Sequence, residues 1–411
     1  MVPTPGEHQA PPIPGAGSHG ALQAKPARKA LAGFFLAGLL MSFLGPILPA
    51  WGYHLRSDFS SAGLHFLGMA LGILAAASVA HRLIPAKGVA FVLALASGVA
   101  AGALLYLATV SPPVSSWWRL AGVFLLGGSS GLLASALFHG ISTIYHHDPA
   151  ATVNLAGLLF GLGSLVNALL VSGTFYVYTV ASILVLLAII PGFYAISYAR
   201  SSFPIEAQRP EPSWRQALED FRSPGAVLFA LLLFFQFGNE WSVAGWLAIF
   251  LIQRIGISPA SGLFLLALYW FSLIVGRIVA QFLLPRVRHG KLLTISAMAA
   301  LFGCVILSFT TNVFGAVSGI LFVGGGFALV YPLVVEKIGH RFPYFHPGLF
   351  NGIFSFAMAG GLLAPWTVGF FADMWGIGIL MVQPLLGTFM VFGLLLLIRL
   401  EAMLTGAEPA T

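Results

Sequence analysis

Twelve apolar stretches, each near the length needed to cross a bilayer as a helix, follow one another with almost no charge inside them. Roughly 20 apolar residues span the hydrocarbon core. The stretches cover about 31–52, 61–80, 88–110, 117–143, 151–173 and 177–199, then 225–252, 259–283, 290–310, 313–337, 348–372 and 376–400. Only 8% of the 411 residues are charged, and mean hydropathy is +0.94. A soluble domain carries about 25% charged residues, so lipid must cover most of this surface. The expected fold class is an all-α membrane protein of twelve transmembrane helices in two six-helix bundles. One cysteine, Cys304, excludes an intrachain disulfide and argues against a zinc or iron–sulfur site. No metal site and no cofactor are expected.

The chain divides by composition. Residues 1–29, rich in Pro, Ala and Gly, read as a disordered tail. Bundles at 30–199 and 225–400 flank a polar linker at 200–224, and 401–411 form a second tail. With the amino terminus in the cytoplasm, 16 Lys and Arg fall on the cytoplasmic side and 3, Arg56, Arg119 and Arg254, on the other. That asymmetry orients the protein with both termini and the linker inside. It also explains the net charge of +7 as a topology signal, with no need for nucleic acid as a partner. A cytoplasmic (inner) membrane location and a monomer are expected, with the lipid bilayer and a small-molecule solute as partners.

The halves repeat. Phe59-Ser60-Ser61-Ala62-Gly63-Leu64 after the first span matches Ile257-Ser258-Pro259-Ala260-Ser261-Gly262-Leu263 after the seventh. Asn154 precedes Gly163 by nine residues in the fifth span, as Asn351 precedes Gly360 in the eleventh. Two matches at nearly one offset indicate a duplicated six-helix unit, the kind that rocks about a central site.

On these features, and on Gly38 to Pro49, Asn154 to Gly163, Gly238 to Leu247, Trp270 to Arg277 and Gly324 to Pro332, the chain resembles the major facilitator superfamily over about residues 30–400. Within it the chain is most similar to the fucose/glucose/galactose–proton symporters. The resemblance implies a secondary transporter working by alternating access, with a monosaccharide as solute, protons as coupling ion and no enzymatic activity. It also implies gating roles for Arg82, in the loop after the second span, and for Arg277, in its second-half copy. The chain departs from the pattern where His81 replaces the motif's Asp, and where Gly45 and Ala134 stand in place of fucose-symporter carboxylates. The basis for carrying over fucose or that coupling scheme is therefore missing.

Among twelve acidic residues, Glu240 alone falls near mid-membrane. An acidic group there costs about 2.5–3.5 kcal/mol on insertion scales, so it marks a functional site or a structural lock. Glu240 is the expected proton-coupling and solute-binding residue. Gln236, one turn before it, Asn239, Trp246 and Trp270 supply the polar and aromatic groups that a sugar pocket needs. Asn167, Tyr331 and Asn351 are further candidate contacts; each can equally bond a neighbouring helix. His65 and His139 titrate near neutral pH in water but read better as structural. Two other functions fit the composition: export of amphipathic compounds, and a non-transporting receptor or scaffold.

Overall fold

The computed structural model describes residues 16–55, 58–147, 149–203, 219–284, 286–342 and 352–404. Twelve helices in it are long and apolar enough to cross a membrane. They are α1 (Pro26–Ala50), α2 (Phe59–Lys87), α3 (Val89–Thr109), α4 (Ser116–Gly140), α5 (Ala151–Thr174) and α6 (Val180–Ala199), then α7 (Pro224–Ile255), α8 (Pro259–Leu283), α9 (His289–Phe309), α10 (Val313–Arg341), α11 (Gly352–Trp375) and α12 (Ile379–Leu404). Among the described residues there is no strand.

Local chemistry sets the helix ends. Gly256, at φ +75, stops α7 in a left-handed cap. Ser258 then caps α8 by accepting from the Ser261 N–H, with Pro259 in its first turn. The duplicate site in the first half behaves alike: Asp58 accepts from the Ser61 N–H and starts α2. The second repeated feature is a close crossing. A Cβ on Gly163 would collide with the Phe35 carbonyl, and one on Gly360 with the Phe234 carbonyl. Thus α5 presses on α1, and α11 on α7, through equivalent glycines.

α1 breaks at Ser42–Phe43, and the second piece, Leu44–Ala50, contains Pro46 and Pro49. The Phe43 N–H turns to the Leu40 carbonyl, which leaves the Leu39 carbonyl without its regular partner. Asn167 of α5 donates to that Leu39 oxygen (3.2 Å) and to Ser42 Oγ (3.2 Å). A break inside a membrane persists only where such partners exist.

The halves meet along α2–α11 and α5–α8, with the second piece of α1 against α7. The end of α6 at Ala199, the start of α7 at Pro224, the start of α1 at Pro26 and the end of α12 at Leu404 share one end of the bundle, here the linker side. Among the described residues, three hydrogen bonds join the halves, all on the far side. Gln253 donates to the His54 carbonyl (3.0 Å), the Phe59 N–H to Asp373 Oδ1 (3.1 Å) and Ser172 to the Ala260 carbonyl (2.8 Å). The far side is closed.

The expected tail 1–29 is replaced in part by helix, which starts at Ala16. Ala21-Leu22-Gln23-Ala24-Lys25 are good helix formers and extend the first span backwards. Residues 204–218 of the linker, 405–411 of the last tail and Asn351 lie outside the described residues.

Candidate functional site

α7 runs through the middle of the molecule and packs against helices of both halves. Glu240 sits 16 residues from its start, about 24 Å along the axis, and is partly exposed. Gln236, one turn earlier, donates to Glu240 Oε1 at 2.6 Å. Opposite them, Arg277 of α8 is 7% exposed. Its guanidinium lies over Gly157 of α5, in the other half, where a Cβ would overlap it. Arg277 shares an electrostatic neighbourhood with Glu240, Tyr269 and Tyr331. Glu240 and Arg277 nevertheless stand beyond the 4.0 Å of a contact ion pair.

Aromatic rings border this cluster. Trp270 of α8 lies 6.2 Å from Phe160 of α5, which lies 6.1 Å from Trp241 of α7. Tyr331 of α10 packs on Phe237 at 5.1 Å. Trp241 also borders an apolar groove between α1, α2, α7 and α11, with Met41, Phe66, Met69 and Ile73 along it. Several buried polar atoms beside the cluster have no partner: Gln236 Oε1, Tyr269 OH, Trp270 Nε1 and Arg277 Nε. Buried polar groups are ordinarily satisfied, so these four have hydrogen-bonding capacity left for a water or a polar ligand.

The structure therefore brings Glu240, Gln236, Trp270 and Tyr331 together, and it withholds others. Trp246 is fully buried, donates to the Pro365 carbonyl (2.8 Å) and packs against Phe59 and Phe66 in the far-side closure. Asn239 faces α12, where it donates to Thr388 Oγ1 (3.3 Å) and lies against Gly387. Asn167 is occupied at the α1 break. All three are helix-to-helix contacts, because a polar side chain in a membrane helix pairs with the nearest acceptor on its neighbour.

Arg277, expected as a gating residue, lies six residues before the linker-side end of α8. Helical side chains lean toward the helix amino terminus, which for α8 is the far side, so Arg277 reaches back toward mid-membrane. Arg82 is exposed at the linker end of α2. His65 is buried at the far end, between Trp51 and Tyr53, with Nδ1 at the Ser61 carbonyl (2.8 Å). His139 sits near the linker end of α4, with Nδ1 at the Ser135 carbonyl (2.9 Å). Tyr269, Phe160 and Gly157 had no place among the expected site residues. Tyr269 adjoins Trp270, and that adjacency was the available signal. Among the described residues no group of three His, Cys, Asp or Glu side chains could hold a metal.

The profile of the Major Facilitator Superfamily matches residues 30–365. The chain belongs to the Major Facilitator Superfamily. It is a membrane transporter, not an enzyme. An uncharacterized MFS-type transporter of Yersinia pestis is 22% identical over 343 residues, 83% of this chain and 87% of that protein. A glucose/galactose transporter of Brucella abortus is 26% identical over 193 residues, 44% of this chain and 45% of that protein. The fold is that of the E. coli fucose:proton symporter (TM-score 0.62, 16% identity, 92% of this chain and 99% of the other). A D-xylose–proton symporter gives a TM-score of 0.71 at 14% identity, over 90% and 97%. At such identity the superfamily fold is shared and the site residues are not thereby assigned.

Proposed function

We propose that this transporter moves a small polyhydroxylated solute of monosaccharide size, coupled to protons, by rocking its two halves about the Glu240 cavity. It works as a monomer in a cytoplasmic membrane, with both termini and the 200–224 linker in the cytoplasm and Arg82 at the cytoplasmic gate. The observation that carries the reading is Glu240 itself: a carboxylate midway along α7, hydrogen-bonded to Gln236, partly exposed, and in the electrostatic neighbourhood of Arg277, Tyr269 and Tyr331. A proton or a hydroxyl donor satisfies it, and aromatic faces suit the C–H surface of a sugar. The named substrates of similar proteins, glucose/galactose, fucose and xylose, support this class.

Glu240→Gln keeps shape and hydrogen bonding but cannot exchange the proton. In proteoliposomes, pH-driven accumulation should vanish while solute exchange partly survives. Full pH-driven accumulation by the variant would refute the coupling role. A second reading, export of an amphipathic compound, draws on the apolar groove beside Trp241. It requires dye efflux that persists when Glu240 is replaced.

A further inference from the structure

Three donors on α8 lie buried without partners: Tyr269 OH, Trp270 Nε1 and Arg277 Nε. Their residues are 0%, 5% and 7% exposed. Trp270 and Arg277 are seven residues apart, so they share one helix face at about 10 Å along the axis. Both face α5, Arg277 over Gly157 and Trp270 against Phe160. Across from them stand two acceptors, Glu240 and the unpartnered Gln236 Oε1. The ligand complementary to this pair of faces has acceptors at one end and hydroxyl donors at the other.

We infer that the transported solute is a sugar acid, a monosaccharide-sized polyhydroxylated carboxylate, whose carboxylate is held by Arg277. This rests on the reading of the Glu240 cavity as the solute site. Charge carries it further. Uncompensated charge in a membrane interior is costly. A site holding an ionised Glu240 and a cationic Arg277 is neutral before solute enters. A neutral sugar taken up with a proton on Glu240 leaves the cavity at +1. A carboxylate taken up with that same proton leaves it neutral, because the proton stays on Glu240 and the anion faces the guanidinium. One proton then accompanies each carboxylate, and both the loaded and the empty carrier cross without net charge.

The test uses full-length protein in liposomes, with D-gluconate and D-galacturonate against D-glucose and D-galactose. The acids should bind at least about tenfold more tightly than the neutral sugars, as charge-assisted hydrogen bonds dictate. Arg277→Gln should lose that preference, and Arg277→Lys should keep part of it. Trp270→Phe removes one donor with the fold kept, so it tests the same face should Arg277→Gln fail to fold. Uptake of the acid should respond to a pH gradient and be indifferent to an imposed membrane potential. Equal or tighter binding of the neutral sugars, with Glu240-dependent accumulation, would overturn the sugar-acid inference and leave the sugar-class reading standing. Potential-driven uptake of the acid would overturn the charge balance. If neither class binds or enters, both readings fall.

Discussion

Asp373 offers a direct handle on the closed far side. Its carboxylate, at the end of α11, accepts the Phe59 N–H at 3.1 Å, at the start of α2 in the other half. Asp373→Ala removes a hydrogen bond worth about 0.5–1.5 kcal/mol net. It also removes a negative charge at a helix amino terminus, worth about 0.3–1 kcal/mol. Asp373 is exposed, so screening places the sum toward the low end, at about 1 kcal/mol. That is about a fivefold shift from closed toward open. The assay is a pair of spin labels at Tyr176, just past the end of α5, and Phe314, in the first turn of α10, both exposed on the far side in opposite halves. The native Cys304 is buried and stays unlabelled. The long-distance population should rise about fivefold relative to the short one. Ser258→Ala is the control. It removes the cap of α8 within one half, so it should lower thermal stability and leave the distance ratio unchanged. An unchanged ratio in Asp373→Ala, or an equal shift in Ser258→Ala, would refute the assignment of this bond to the closure.

Three further outcomes follow from single contacts. Gly360→Leu should abolish folded expression, since even a Cβ there meets the Phe234 carbonyl; Gly192→Ala, with open space around it, should be neutral or stabilise by up to about 1 kcal/mol, as melting curves in detergent will report. Trp246→Phe should cost about 1 kcal/mol by leaving the Pro365 carbonyl unpaired, lowering the melting temperature without altering solute affinity. His54, outside the spans, has its pKa lowered by burial against a smaller opposing effect of its bond to the Pro49 carbonyl. Its unfolded form therefore takes up a proton first as pH falls through about 6.5. Stability present above that pH should decline below it, and the decline should be shallower in His54→Asn.

The spans were legible because a helix in lipid needs length and an apolar sequence, both visible without contacts. The fourth shows where this stops. Its apolar run continues to 143, but α4 ends at Gly140 and a separate short helix begins at Ser142. Apolarity does not register a change of helix direction. The duplicated unit was legible for the opposite reason. Asp58 with Ser258, and Gly163 with Gly360, do the same backbone work in each half, so the same chemistry recurs in the sequence. Glu240 was legible because its depth can be counted along α7. Trp246, Asn239 and Asn167 share that depth range, yet their contacts depend on which neighbour holds an open acceptor, and that is set by packing.

What remains available to a ligand is thus what helix packing leaves unspent. Asn167 goes to the α1 break, Asn239 to α12 and Trp246 to α11. Around Glu240, buried atoms left without a partner belong to Gln236, Tyr269, Trp270 and Arg277 of α7 and α8. The first half faces them with Gly157 and Phe160. This asymmetry accounts for the departure from the fucose-symporter pattern at Gly45. A Cβ at that position would collide with the Ala244 carbonyl of α7. The crossing of α1 on α7 that closes the far side leaves no room for a carboxylate there. On the proposed reading, the charged groups of the site then stand in the second half, as one acid and one base on adjacent helices. Installing Gly45→Asp should therefore disrupt the closure without creating a second coupling site. A variant that folds, closes and gains proton coupling independent of Glu240 would show that the crossing is not what excludes the carboxylate.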